Sequence, residues 1–235
     1  MALPKAILFD VFGSCVDWRS SLIAELSAFG ERRGIAADWA GLVDAWRGAY
    51  APSMDRVRRG ELAWTKLDDL HRASLDALVA RLGIVGLSEA DLVWMNLGWH
   101  RLHPWADTVA GLTRLKTKFV IGPLSNGNCS LLVDLAKFAG LPWDVICSSD
   151  VFGHYKPDPE TYLGAARLLS LEPGELMLAA AHNGDLAAAR KLGLQTAFFA
   201  RPTEYGPEQA KDRRAEGDWT IVARDIEDLA EWLGC

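Results

Sequence analysis

Short, mostly apolar runs recur along the chain: Ala6-Ile7-Leu8-Phe9, Phe119-Val120-Ile121, Val145-Ile146-Cys147, Leu176 to Ala181, Thr196 to Ala200 and Thr220-Ile221-Val222. Unbroken apolar runs of this length mark strands buried on both faces of a parallel sheet. Most are separated by segments of helical periodicity, Ser130 to Ala139, Pro159 to Leu169, Asp185 to Leu192 and Ile226 to Leu233. Strand and helix in alternation predict an α/β fold, a doubly wound, mainly parallel Rossmann-like sheet. The alternation is interrupted once. From Trp18 to His103, leucines and aromatics recur at helical spacing (Leu22, Leu26, Phe29; Leu42 to Trp46; Leu67, Leu70, Leu75, Leu78) without a strand. The simplest organisation is a core domain, 1–17 and 104–235, carrying an inserted helical cap domain, 18–103. Ligands of open α/β sheets bind outside the carboxyl ends of the strands, so the cap is expected to wall the site.

The length of 235 residues and the apolar half of the composition suit one domain with an insertion. Leu176 to Ala181 is the longest unbroken apolar stretch, far below the roughly 18 residues that cross a bilayer. Lys5 to Asp10 has no signal-peptide character, and the expected location is cytoplasmic. The net charge is −6 with scattered basic residues, which speaks against nucleic-acid or membrane partners and for a small molecule. Cys15, Cys129, Cys147 and Cys235 form no CxxC pair, so neither a zinc site nor a disulfide framework is expected. His100 and His103 are too isolated for a metal site. Seven of the ten tryptophans, Trp18, Trp39, Trp46, Trp64, Trp94, Trp99 and Trp105, fall in the first half and should mostly build the cap core.

Four strands end in residues that carry chemistry. Asp10 follows the first and leads into Val11-Phe12-Gly13-Ser14; Ser125-Asn126-Gly127 follows the second; Tyr155-Lys156-Pro157-Asp158-Pro159 follows the third; His182-Asn183-Gly184-Asp185 follows the fourth. One edge of the sheet thus receives a carboxylate, a hydroxyl with an amide, an ammonium and a second carboxylate.

FDVFGS, LSNG, YKPDPETY and HNGD resemble, in order and spacing, the four motifs of the haloacid dehalogenase superfamily. Its phosphatases place a second aspartate two residues after the nucleophile, where this chain has Phe12. A phenyl ring neither protonates a leaving alkoxide nor ligates a hard cation, so the pattern resembles the metal-independent L-2-haloacid dehalogenase branch. That resemblance implies hydrolysis of short 2-haloacids or haloacetates to 2-hydroxy acids or glycolate plus halide, with no metal, no cofactor and a homodimeric assembly. Asp10 is then the nucleophile that forms an aspartyl ester. Lys156 keeps it ionised. Arg47 and Asn126 cradle the halide. Ser125 and the N–H groups of Val11 and Phe12 hold the substrate carboxylate, and Ser14 stands for the family's threonine beside them. Asp185 directs water at the ester. The family's upstream serine and asparagine are here Ala180 and His182, so His182 either handles the water, as ligand or base, or only hydrogen-bonds Asp185. Tyr162 either orients the site or is a core residue. A superfamily phosphatase with an atypical acid and a non-catalytic small-acid binder stay open as alternatives.

Overall fold

The computed structural model describes residues 3–235. In chain order its first part runs β1 (Ala6–Phe9), β2 (Val16–Asp17), α1 (Trp18–Arg33), α2 (Trp39–Arg58), α3 (Leu67–Arg81), α4 (Glu89–Asn96), a 3-10 turn (Leu97–His100) and β3 (His103–Pro104). There follow α5 (Thr108–Lys116), β4 (Val120–Ser125), α6 (Cys129–Ala139), β5 (Cys147–Ser148), α7 (Ser149–Phe152) and α8 (Pro159–Leu168). The chain closes with β6 (Leu176–Ala180), α9 (Asn183–Lys191), β7 (Gln195–Phe199), β8 (Ile221–Ala223) and α10 (Ile226–Trp232).

The main sheet has the order β5-β4-β1-β6-β7-β8 with every pairing parallel. Its residues alternate between two apolar layers: Ile7, Phe9, Met177 and Ala179 face one, and Ala6, Leu8, Leu176 and Leu178 the other. Burial on both faces explains why these strands read as unbroken apolar runs. β1 lies between β4 and β6, where the winding changes direction, so the carboxyl ends of these three strands open onto one crevice.

Helices α1 to α4 leave the core after β2 and return at β3, and the antiparallel pair of Val16 with Pro104 and Asp17 with His103 closes the stem. Three of the four helix starts carry a side-chain cap. The Asp17 carboxylate accepts from Ser20 N at the head of α1, Asp38 from Gly41 N at the head of α2, and Ser88 with Asp91 forms a capping box on α4. The apolar faces of these helices join the layer beneath β1 in one continuous cluster, in which Trp18, Trp46 and Trp99 are fully buried. Trp64 stands apart from that pattern and is exposed.

Helix α7 and the short strands β2 and β3 were not expected from the sequence, and two further features differ. Helix α5 lies where no helix was expected. The edge strand β5 is shorter than Val145 to Cys147 because the Asp144 side chain accepts from Ile121 N in place of a ladder partner. Among the described residues no helix is long and apolar enough to cross a membrane.

Candidate active site

Asp10 ends β1 at the floor of the crevice, nearly buried. The turn after it folds back through Cys15 N and Val16 N, both donating to Val11 O. This reversal needs Gly13, whose φ of +90° is open to glycine and strained for other residues. It also leaves the N–H groups of Val11 and Phe12 without a protein acceptor among the described residues.

Both carboxylate oxygens of Asp10 are held. Lys156 Nζ donates to Oδ1 at 2.9 Å. Oδ2 accepts from Ser14 Oγ at 2.7 Å and faces His182 Nδ1 at 3.0 Å. Burial alone would raise the carboxyl's pKa, but Lys156, His182 and Ser14 together hold it well below the usual carboxylate range. Asp10 is therefore ionised in a largely dry site.

Lys156 follows β5 and α7 and ties the two carboxylates together, meeting Asp185 Oδ2 at 2.5 Å. Burial disfavours its charge, yet Asp10 and Asp185 outweigh burial and raise its pKa. Asp185, in the first turn of α9, receives the Tyr162 hydroxyl on its other oxygen at 2.6 Å. Tyr162 is fully buried, with its hydroxyl on Asp185.

Asn126, just past β4, is oriented by its Oδ1, which accepts from Lys156 N at 2.7 Å. The carbonyl end of the amide is used there, so its NH₂ is the donor end, which faces the Tyr50 hydroxyl beside the cavity. Arg47 enters from α2. Its guanidinium lies 4.3 Å from the Tyr50 ring centre and 5.3 Å from that of Trp18. Nη1 is buried with no hydrogen-bond partner, as expected of a donor awaiting an anion. Trp46, the sequence neighbour, turns away and donates to His71 O.

A cavity of about 350 Å³ lies between these groups, and Asp10, Phe12, Arg47, Asn126, Lys156, Tyr162, His182 and Asp185 all line it. Phe12 is packed edge-on against Trp99 and Tyr50, at 5.8 and 6.4 Å between ring centres, and forms an apolar wall. An adjoining cavity of about 660 Å³ shares Arg47, Tyr50, Ala51, His182 and Gly184 and reaches toward Lys211.

Three expected residues lie behind the cavity lining. Ser14 Oγ donates to Asp10 and accepts from Ala181 N at 2.9 Å, so it fixes the orientation of the Asp10 carboxylate. Ser125 Oγ is occupied by Gly127 N at 3.1 Å. Val11 contributes its backbone only.

His182 departs from its expected partner. It bonds Asp10 and, through Nε2 at 2.8 Å, Glu204, and makes no hydrogen bond to Asp185. Burial works against the charged ring, but Glu204 and Asp10 raise its pKa to about 10. An imidazolium has no free lone pair on its ring nitrogens with which to take a proton.

Glu204 is the functional residue that sequence reasoning missed. It is 1% exposed, accepts from Trp18 Nε1 at 3.0 Å, and lies 3.9 Å from Arg47. A methyl on Gly13 would stand 2.1 Å from its Oε1. The glycine in the turn and a histidine where the resembled motif has asparagine were the available signals. The cluster holds three carboxylates (Asp10, Asp185, Glu204) against three cations (Lys156, His182, Arg47). Chemically it offers an ionised nucleophile, a carboxylate able to take a proton from water, and an unpaired cationic donor. Among the described residues no cluster of three or more His, Cys, Asp or Glu is placed to hold a metal ion.

A family model described as haloacid dehalogenase-like hydrolase matches residues 4–193. The chain is 28% identical over 207 residues, 84% of this chain and 75% of the relative, to an (S)-2-haloacid dehalogenase of Xanthobacter autotrophicus. Its structure resembles that of a solved L-2-haloacid dehalogenase at 54% identity and a TM-score of 0.96, covering 98% of both chains. A defluorinating L-2-haloacid dehalogenase is similar at 48% identity and TM-score 0.96, covering 99% of this chain and 96% of the other.

Proposed function

Because the chain belongs to the haloacid dehalogenase-like hydrolases, we propose that it displaces halide from short (S)-2-haloacids through an ester on Asp10, giving (R)-2-hydroxy acids, or glycolate from haloacetates. The observation that carries this reading is Asp10 ionised at the base of a cavity walled by Phe12, with the unpaired Nη1 of Arg47 buried beside it. The relatives named as haloacid dehalogenases support the same class of substrate.

The substrate carboxylate sits against the free N–H groups of Val11 and Phe12, with Ser125 behind them. C2 then faces Asp10, and the halogen points to Arg47 and the Asn126 amide. Asp10 attacks C2 in line and the carbon–halogen pair leaves with the halide, stabilised by donors aimed where the negative charge develops. Water then attacks the ester carbonyl carbon while the Asp185 carboxylate takes its proton. One displacement at C2 followed by acyl cleavage inverts C2. Residues 18–103 act as the cap that carries Arg47 and Tyr50 over the cavity. The reaction runs in the cytoplasm, where the four cysteines stay unpaired thiols.

Halide release from 2-chloropropionate enantiomers and from chloro-, bromo- and fluoroacetate tests the proposal, comparing the protein with Asp10→Asn in chelated buffer. Halide from the (S)-enantiomer alone, abolished by Asp10→Asn, is the expected result. Release of phosphate from small monoesters only with added Mg²⁺, and no halide, would favour the phosphatase reading.

A further inference from the structure

Nothing in the dehalogenation steps above uses Glu204, although it is a buried carboxylate on the edge of the site. Its partner supplies the clue. Both ring nitrogens of His182 face carboxylate oxygens, at 2.8 Å on Glu204 and 3.0 Å on Asp10. A neutral imidazole has one N–H and one lone pair, which would point a lone pair at one of these oxygens. Two ionised partners therefore require two donors.

The consequence falls on Asp10. Oδ2 is covered by His182 and by Ser14, whose hydroxyl is locked because it accepts from Ala181 N. Oδ1 meets Lys156 alone. An oxygen under two donors, one of them charged, is the poorer nucleophile and the better place for developing negative charge.

Resting on the proposed dehalogenation, we propose that Glu204 is a positioning residue that clamps His182 onto Oδ2 of Asp10, so that His182 and Ser14 form the oxyanion hole for ester hydrolysis while Oδ1 attacks C2. In the first step an Oδ1 electron pair forms the O–C2 bond and the C2–halogen pair leaves as halide. In the second, water oxygen bonds to the ester carbonyl carbon, one water proton passes to Asp185, and the carbonyl π pair moves onto Oδ2. Collapse restores the carbonyl and breaks the bond to Oδ1. The departing alkoxide recovers the proton from Asp185 by way of Lys156, and the remaining water proton leaves Asp10 for solvent.

The charged groups around His182 are arranged for this. Asp10 approaches from the turn after β1, Glu204 from the segment after β7, Arg47 from α2, and Lys156 from the loop before α8. Asp185 lies on the same helix start, and Lys211 and Asp212 line the adjoining cavity. Gly13 leaves room for the Glu204 carboxylate directly under the turn that presents Asp10.

Quenched-flow turnover of bromoacetate by the full chain and by Glu204→Gln tests the assignment, following bromide, intact protein mass and the hydrolysis rate against pH. Bromide formation should stay within about threefold while hydrolysis slows on the order of 10²-fold, the loss typical of one oxyanion donor. Protein carrying one carboxymethyl group should accumulate, and hydrolysis should decline at lower pH than in the unmutated protein. Equal slowing of both steps, or no accumulated ester, overturns the proposal. Should Glu204→Gln fail to fold, His182→Asn serves instead, keeping an amide donor without the charge; accumulated ester is expected, and unchanged hydrolysis overturns the proposal. No bromide from the unmutated protein would overturn the dehalogenase reading and this inference with it, whereas a normal bromide burst without the hydrolysis defect overturns this inference alone.

Discussion

Replacing Arg47 by Met separates bond breaking from hydrolysis. The guanidinium lies over the faces of Tyr50 and Trp18, hydrogen-bonds the Tyr205 side chain, approaches Glu204 at 3.9 Å and leaves Nη1 free beside the cavity. A methionine keeps the stem that packs between the rings. Glu204 keeps its bonds to His182 and Trp18. Losing the cation–π contacts and one of the cations beside buried Glu204 should lower stability by about 3 kcal/mol. Halide departure is another matter. Removing one preorganised donor from developing charge costs about 3 to 4 kcal/mol, or 10² to 10³ in rate. In quenched flow with 2-chloropropionate, Arg47→Met should slow chloride formation by that factor, and less for bromide, the better leaving group. Hydrolysis of any ester formed should keep its rate, because the halide has gone by then, and no ester should accumulate. Chloride release slowed less than tenfold, or accumulation of ester, would refute the role given to Arg47.

Lys156→Met should be more damaging to the fold. It leaves Asp10 and Asp185 without the ammonium between them, and breaking such a buried pair costs about 3 to 5 kcal/mol; the melting temperature, read by calorimetry, should fall by roughly 10 °C, with halide release lost. Stability should also depend on pH at both ends. The pKa of His182 is raised to about 10 in the fold, against about 6.5 unfolded, so its contribution is whole below about 6.5 and is lost as pH rises through about 10. Asp10 and Glu204 are lowered, so theirs is present above about 4 and is lost as pH falls further. Denaturant titrations from acid to alkaline pH should show a broad maximum between these limits, and in Glu204→Gln the alkaline decline should move to lower pH.

What could be read from the sequence was what buried strands make local. A two-sided parallel strand must be apolar to its last residue, so the first polar group after each run, Asp10, Ser125 or His182, announces itself at the sheet edge. Arg47 was visible only through its resemblance, since nothing in an amphipathic helix tells a site-facing arginine from a solvated one. Glu204 was hidden for a different reason. It lies in the irregular segment between β7 and β8, which has no hydrophobic period, and its relation to His182 and Gly13 exists only in space. One of the two readings of His182 gave it Asp185 as its partner, but that carboxylate is held by Lys156 and Tyr162, and His182 bonds Asp10 and Glu204. The helix α5 buries only Thr108, Gly111, Leu112 and Leu115, too thin an apolar stripe to stand out.

The covalent route through Asp10 is tested most directly by a single turnover in ¹⁸O water, with protein in excess over (S)-2-chloropropionate. The hydroxyl oxygen of the first product comes from Asp10 and should be unlabelled, while mass spectrometry of the peptide containing Asp10 finds one ¹⁸O, which enters the product in later turnovers. Full label in the first product, with Asp10 unlabelled, would contradict the account.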